Sequence, residues 1–351
     1  MSASVDTAES ICVMNTVTGD VVFEKNAYER KPMASTTKIM TLVTALKNSE
    51  PDDVVRVGHN AVAEEGSSAY LKPDATITMR DLWYGLMLNS GNDAAVAIAE
   101  HISGDVDSFA KLMNETAQMI GVKDTHFVNP NGLHDDEHFT TAFDLAVITR
   151  YAMRDTRFSE IVSTKMYTSE MILSDGTAYN VEYINHNRLL NSLDGCVGVK
   201  TGFTKDAGRC LVSAIDIDGA KYIAVTLNDS DDWNTHKELY QSVIKTARER
   251  VIVRKGDCMM HIGDFRLVAQ DEFCVFVNDT GSEFEIVKNI PKTIDFPLNR
   301  GEKVGYLSIE LNGNVIGVID VVSDGDYMPE NNGKTKNCFM FTLINLLRNT
   351  L

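Results

Sequence analysis

The stretch Arg30-Lys-Pro-Met-Ala-Ser-Thr-Thr-Lys-Ile-Met-Thr41 decides how the chain is read. Pro32 punctuates the chain, and beyond it Ile39, Leu42, Val43 and Leu46 recur at helical spacing, which predicts a helix over residues 36–47. Ser35 and Lys38 lie three residues apart at its start, so they share a face. Serine is a weak nucleophile until a base sits beside it. A lysine can be that base once burial or a second cation lowers its pKa. The N-terminus of the helix also favours negative charge developing near Ser35.

Two more triplets complete the pattern, Ser90-Gly-Asn92 and Lys200-Thr-Gly202. The second follows a strand-like run, Cys196 to Val199, so it marks a strand edge that an extended peptide can join. Gly202 removes the side chain that would block that approach. Thr201 and Lys200 then offer a hydroxyl and a charge to a terminal carboxylate, and Lys200 is the candidate second cation for Lys38. Ser90 is a candidate proton relay, and Asn92 a candidate holder of a substrate amide. S-x-x-K alone is a weak signal, recurring at Ser108 and Ser242 within amphipathic helices, where both read as surface residues. The three triplets in order, each in fitting local structure, form a strong one. His134-Asp-Asp-Glu-His138 has metal-ligand residue types, but it follows Asn-Gly and reads as a solvated loop; no metal is expected. His186 reads as a hydrogen-bonded structural residue.

Outward from these sites, residues 9–24 read as a hairpin. Helices follow at 80–88, 92–102, 106–120 and 142–153, then strands at 196–201, 209–216 and 221–228 and a helix at 233–250. Strands at both ends with helices between give an α/β (α+β) catalytic region over residues 1–250. Strand periodicity dominates 251–328, with Asn312-Gly313 as a two-residue hairpin turn, so a small all-β domain is expected there. Residues 329–351 read as a polar linker and a short apolar tail, Phe339 to Leu347 flanked by Lys334, Lys336 and Arg348, that can lie on a membrane surface. The net charge of −17 argues against a nucleic-acid partner. None of the six cysteines forms a C-x-x-C pair, and mostly buried free thiols are expected. No apolar run is long enough to span a bilayer. The first residues do not form a secretory signal as they stand.

The stretches Arg30–Thr41, Leu88-Asn-Ser-Gly-Asn-Asp-Ala-Ala95 and Val199-Lys-Thr-Gly-Phe-Thr-Lys-Asp-Ala-Gly208 resemble the low-molecular-mass penicillin-binding proteins, the serine D-alanyl-D-alanine carboxypeptidases. Asn129-Pro-Asn-Gly-Leu133, His138-Phe-Thr-Thr-Ala142 and Asn187-Arg-Leu-Leu190 extend the resemblance, which covers about residues 9–250. It implies a β-lactamase/transpeptidase-like domain with a central, mainly antiparallel sheet. It also implies catalytic roles for Ser35 as acylated nucleophile, Lys38 as base, and Ser90, Asn92 and Lys200. Thr201, Gly202, Phe203 and Arg188 would bind substrate, with the N–H groups of Ser35 and Phe203 as oxyanion hole. No cofactor is implied. The partners implied are a peptidoglycan stem peptide ending in D-Ala-D-Ala and β-lactams as covalent inhibitors, met outside the cytoplasm after removal of a signal. Some family members carry an Arg after the strand that follows K-T-G; Asp229-Ser-Asp-Asp-Trp-Asn-Thr-His236 has none. A serine β-lactamase shares the triplets, but no E-x-x-L-N element lies between Asn92 and Lys200. A D,D-endopeptidase and a non-catalytic penicillin-binding sensor are the other readings.

Overall fold

A computed structural model describes residues 7–278 and 283–329. The chain divides into two compact units, Met1–Arg250 with Val275–Ser282, and Val251–Cys274 with Glu283–Leu351.

The first unit is built on a five-stranded antiparallel sheet in the order Val21–Lys25, Ala8–Asn15, Ala220–Asp229, Gly208–Ile217, Cys196–Thr204. Both chain ends of the unit supply its strands. Side chains alternate between faces along a strand. Cys12 and Met14 therefore join one core, with Val212, Ile223 and Val225. Ile11 and Val13 join the other, with Tyr222, Ala224 and Leu239, Tyr240 and Val243 of helix Asp232–Thr246. Both faces are covered, which is why residues 222–227, in the middle of Ala220–Asp229, read as a nearly unbroken apolar run rather than an alternation.

The helical layer centres on Asn92–Ser103, whose first eight residues are all buried. Residues 94–99 of this helix are all alanine, valine or isoleucine, and the small alanines let neighbours approach closely. The predicted helices at 80–88, 106–120 and 142–153 form at Met79–Met87, Val106–Ile120 and Ala142–Ala152, started by side-chain caps from Thr78, Asp105 and Thr141. The final helix stops at Thr246, and a strand, Arg248–Val253, replaces the expected last turn. Helix Thr156–Ser163 and the hairpin Met166–Ile172 with Ala178–Ile184 were not anticipated; the hairpin completes a second sheet with Val54–Arg56 and Thr76–Thr78. Its residues alternate weakly and much of it is exposed, so it leaves little pattern in the sequence.

The second unit is a five-stranded antiparallel sheet, Cys258–Ile262, Phe265–Ala269, Asn314–Ser323, Lys303–Leu311, Phe284–Asn289, over a core of Leu267, Leu307, Ile309, Ile319 and Val321. Asn312 and Gly313 both have positive φ, 52° and 75°, and close the turn between paired Leu311 and Asn314. Among the described residues no helix is long and apolar enough to cross a membrane. The linker beyond Pro329 and the apolar tail lie outside the described residues. Of the five described cysteines only Cys12 and Cys210 are buried, so the expectation of mostly buried thiols gives way to a mixed set with Cys258 and Cys274 exposed.

Candidate active site

Ser35 sits in a 3-10 turn, Ala34–Thr37, that feeds helix Lys38–Asn48. The turn is held from behind. Ala34 takes φ 49°, unusual for a residue with a Cβ, and its carbonyl accepts Thr37 Oγ1 at 2.8 Å. Val128 N–H donates to His138 Nδ1 at 3.1 Å, which leaves the ring proton on Nε2 to donate to Thr37 Oγ1 at 2.8 Å. Burial keeps His138 neutral, with its pKa lowered to about 4. His138 is thus no part of a solvated loop, as the sequence suggested, but a buried support of the turn. Gly132 crosses directly over it: a Cβ there would stand 2.0 Å from Ala34 O.

Lys38 is fully buried. Its Nζ lies 2.9 Å from Ser35 Oγ, 2.7 Å from Asn92 Oδ1 and 2.6 Å from the Asn131 carbonyl. Two of these neighbours can only accept. A neutral amine has two N–H bonds and one lone pair, so with both N–H bonds spent on the carbonyls the lone pair faces the serine. The pKa of Lys38 is driven well down, first by burial and then by the positive charge of Lys200, against the opposing pull of Asp93 and Glu64. Glu64 accepts from Asn131 Nδ2 at 2.8 Å, so the loop that touches the lysine is itself tethered.

Asn92 was expected to hold a substrate amide. Here its Oδ1 accepts from Lys38 and its Nδ2 donates to Glu65 O at 2.6 Å. Its position at the start of the buried helix makes it a fixed acceptor for the lysine. Ser90, at φ 59°, faces the same cleft as Ser35.

Lys200-Thr-Gly202 lies on Cys196–Thr204, the outermost strand of its sheet, so one side of that strand is open to pair with a peptide. A Cβ on Gly202 would lie 3.0 Å from Ser35 N, which places the strand edge against the nucleophile turn. Lys200 is buried, donates to Thr201 O at 3.0 Å, and has its pKa lowered by burial to about 7.

Ser35, Ser90, Thr201, Gly202, Phe203 and Arg188 line one cleft of about 330 Å³, with Lys38, Asn92 and Lys200 buried about it. Phe203 is 67% exposed at its rim. Ser242 is exposed and Ser108 bonds Asp105 at a helix start; neither lines the cleft. His186 does line it, with a pKa lowered by burial and by Lys200. Among the described residues no group of three or more His, Cys, Asp or Glu side chains could hold a metal.

Sequence reasoning missed four residues that line the cleft: Arg209, Asp232, Trp233 and Ser67. The segment 229–236 has no Arg, but Arg209 donates to Asp232 at 2.7 and 3.2 Å. A signal existed, because the turn before Gly208 returns the chain beside the Lys200 strand, with Arg209 opposite Phe203.

A family model described as D-alanyl-D-alanine carboxypeptidase matches residues 2–231, and one described as penicillin-binding protein 5, C-terminal domain, matches residues 260–328. The D-alanyl-D-alanine carboxypeptidase DacF of Bacillus subtilis is 29% identical over 91% of this chain and 85% of its own length. DacC of Escherichia coli is 30% identical over 89% and 82%. Among solved structures, penicillin binding protein 5 from Haemophilus influenzae superposes with a TM-score of 0.66 at 26% identity, covering 91% of this chain and 97% of that one. The Streptomyces K15 DD-transpeptidase gives 0.64 at 32%, covering 68% and 96%.

Proposed function

The chain belongs to the D-alanyl-D-alanine carboxypeptidase family and is a serine carboxypeptidase, and we propose that it works through an acyl-enzyme on Ser35 with Lys38 as base. The observation that carries this reading is the buried Lys38 Nζ, 2.9 Å from Ser35 Oγ and held in place by Asn92 Oδ1 and the Asn131 carbonyl.

The substrate is a peptidoglycan stem peptide ending in D-Ala-D-Ala. It lies along the open edge of Cys196–Thr204, its scissile carbonyl oxygen toward the N–H groups of Ser35 and Phe203. Lys38 accepts the Ser35 proton as Oγ bonds to the carbonyl carbon. Ser90 takes that proton from Lys38 as it passes its own to the departing amine, so the C–N bond breaks, D-alanine leaves and Lys38 is neutral again. Water, activated by the same lysine, then hydrolyses the ester and regenerates Ser35. Lys200 keeps Lys38 deprotonated, Asn92 aims it, and Thr201, Gly202 and Arg188 serve the peptide. A β-lactam acylates the same serine, but its amine stays tethered after ring opening. The cross-linked wall lies beyond the cytoplasmic membrane, so the enzyme acts there.

Mass spectrometry after exposure to benzylpenicillin tests the assignment. A penicilloyl adduct on the peptide containing Ser35, absent in Ser35→Ala, is expected. An adduct on Ser108 or Ser242, or none, overturns it.

A further inference from the structure

Arg209 enters the cleft of Ser35 from strand Gly208–Ile217, one strand in from the open edge. Its guanidinium has two usable edges. The Nε and Nη2 edge is taken: both atoms donate to the carboxylate of Asp232, at 3.2 and 2.7 Å. The Nη1 and Nη2 edge has no partner among the described residues, and the side chain is 42% exposed while the Asp232 carboxylate is 3% exposed. A fork held by a buried acid on one edge and open on the other fits a second carboxylate, bound by two parallel N–H donors.

The acid is itself fixed. Asp232 opens helix Asp232–Thr246 and accepts from Trp233 N at 2.8 Å. One turn on, His236 bonds Ser213 and Thr226 of the sheet beneath, at 2.6 and 3.1 Å. The helix start cannot drift without breaking those buried bonds. The Trp233 ring lies 5.7 Å from the guanidinium and walls the same cleft. In a chain of net charge −17, Arg188 and Arg209 both line this cleft, and Asp232 is the one acid among its described lining residues.

We infer that Arg209 is a specificity-determining residue that chelates the carboxylate of the departing residue, and that Asp232 is the positioning residue that presents its free edge. The inference rests on the peptidase reading above.

The test compares kcat/KM of the full chain on a peptide ending in D-Ala-D-Ala with the same peptide as its C-terminal carboxamide. Taking the ratio cancels any inactive fraction in a poorly folded variant. Arg209→Gln should lower the carboxylate-to-carboxamide ratio about ten- to a hundredfold, the range for hydrogen bonds to a charged group. Arg209→Lys should restore only part of it, because lysine keeps the charge but lacks the fork. Asp232→Asn should lower the ratio less than Arg209→Gln. An unchanged ratio in Arg209→Gln overturns the inference, as does a collapse confined to Arg188→Gln. Wild-type turnover of the free peptide reports separately on the peptidase reading. If turnover is absent, acylation rates with benzylpenicillin and its methyl ester give the same comparison.

Discussion

Replacing Lys200 with methionine sets stability against reactivity. Lys200 is 2% exposed, and burial moves its pKa from an ordinary 10.5 to about 7. At roughly 1.4 kcal/mol per tenfold change, its charged form is disfavoured by about 5 kcal/mol in the folded chain. Near pH 7 half the groups have already shed the proton, so the cost there is about 4 kcal/mol. Methionine keeps the bulk and loses the charge. It also forfeits the bond to Thr201 O, worth about 1 kcal/mol. The net expectation is a gain of about 3 kcal/mol, or a Tm rise of roughly 6–12 °C for a unit of this size. The pH dependence has a definite sign. Between the folded pKa near 7 and the unfolded 10.5, the unfolded chain holds more protons, so wild-type stability recovers as pH rises through that window. The advantage of Lys200→Met is therefore largest at and below neutrality and fades toward the upper limit. Catalysis moves the other way. After burial, Lys200 is the main cause of the lowered pKa of Lys38. Without it Lys38 stays protonated to higher pH, the acid limb of acylation shifts alkaline, and the neutral-pH rate falls by roughly tenfold or more. Thermal unfolding at two pH values and penicillin acylation across the same range measure both effects. A variant less stable than wild type at neutral pH, or an acid limb that does not move, would refute the reasoning.

Gly132→Ala should cost about 2–4 kcal/mol and slow acylation, because the new methyl meets Ala34 O and Thr37 Oγ1 behind the nucleophile at a φ of 90°; urea unfolding and acylation kinetics near wild type would show the turn is not held there. His138 and His236 are buried neutral, with pKa values lowered to about 4 and about 3. Below their unfolded pKa near 6.5 the unfolded chain binds the extra protons, so stability falls on acidification, by about 2 kcal/mol for each histidine near pH 5. Equal urea midpoints at pH 7 and about pH 5 would contradict that account.

The nucleophile and its base were legible because their relation is local. Three residues on a helical start fix the reach between Ser35 and Lys38 whatever surrounds them, and the same locality made the Asn312-Gly313 turn readable. Alternation along Ala8–Asn15 likewise assigns each side chain to a face before any partner strand is known. The partners of the lysine were another matter. Asn131 touches it through a backbone carbonyl 93 positions away, and a carbonyl leaves no mark in residue identity. Asn92 was found by its triplet, but only packing reveals that its amide bonds Lys38 and Glu65. His138 looked like a loop residue until the fold buried it against Thr37, 101 positions away. Arg209 escaped notice because a missing arginine was sought in one segment, while the sheet delivered one from the neighbouring strand. Helical pitch and strand alternation act over a few residues and are written in their order. Burial, which lowers the lysine and histidine pKa values, and the aim of the Arg209 fork arise only where distant segments exclude water together.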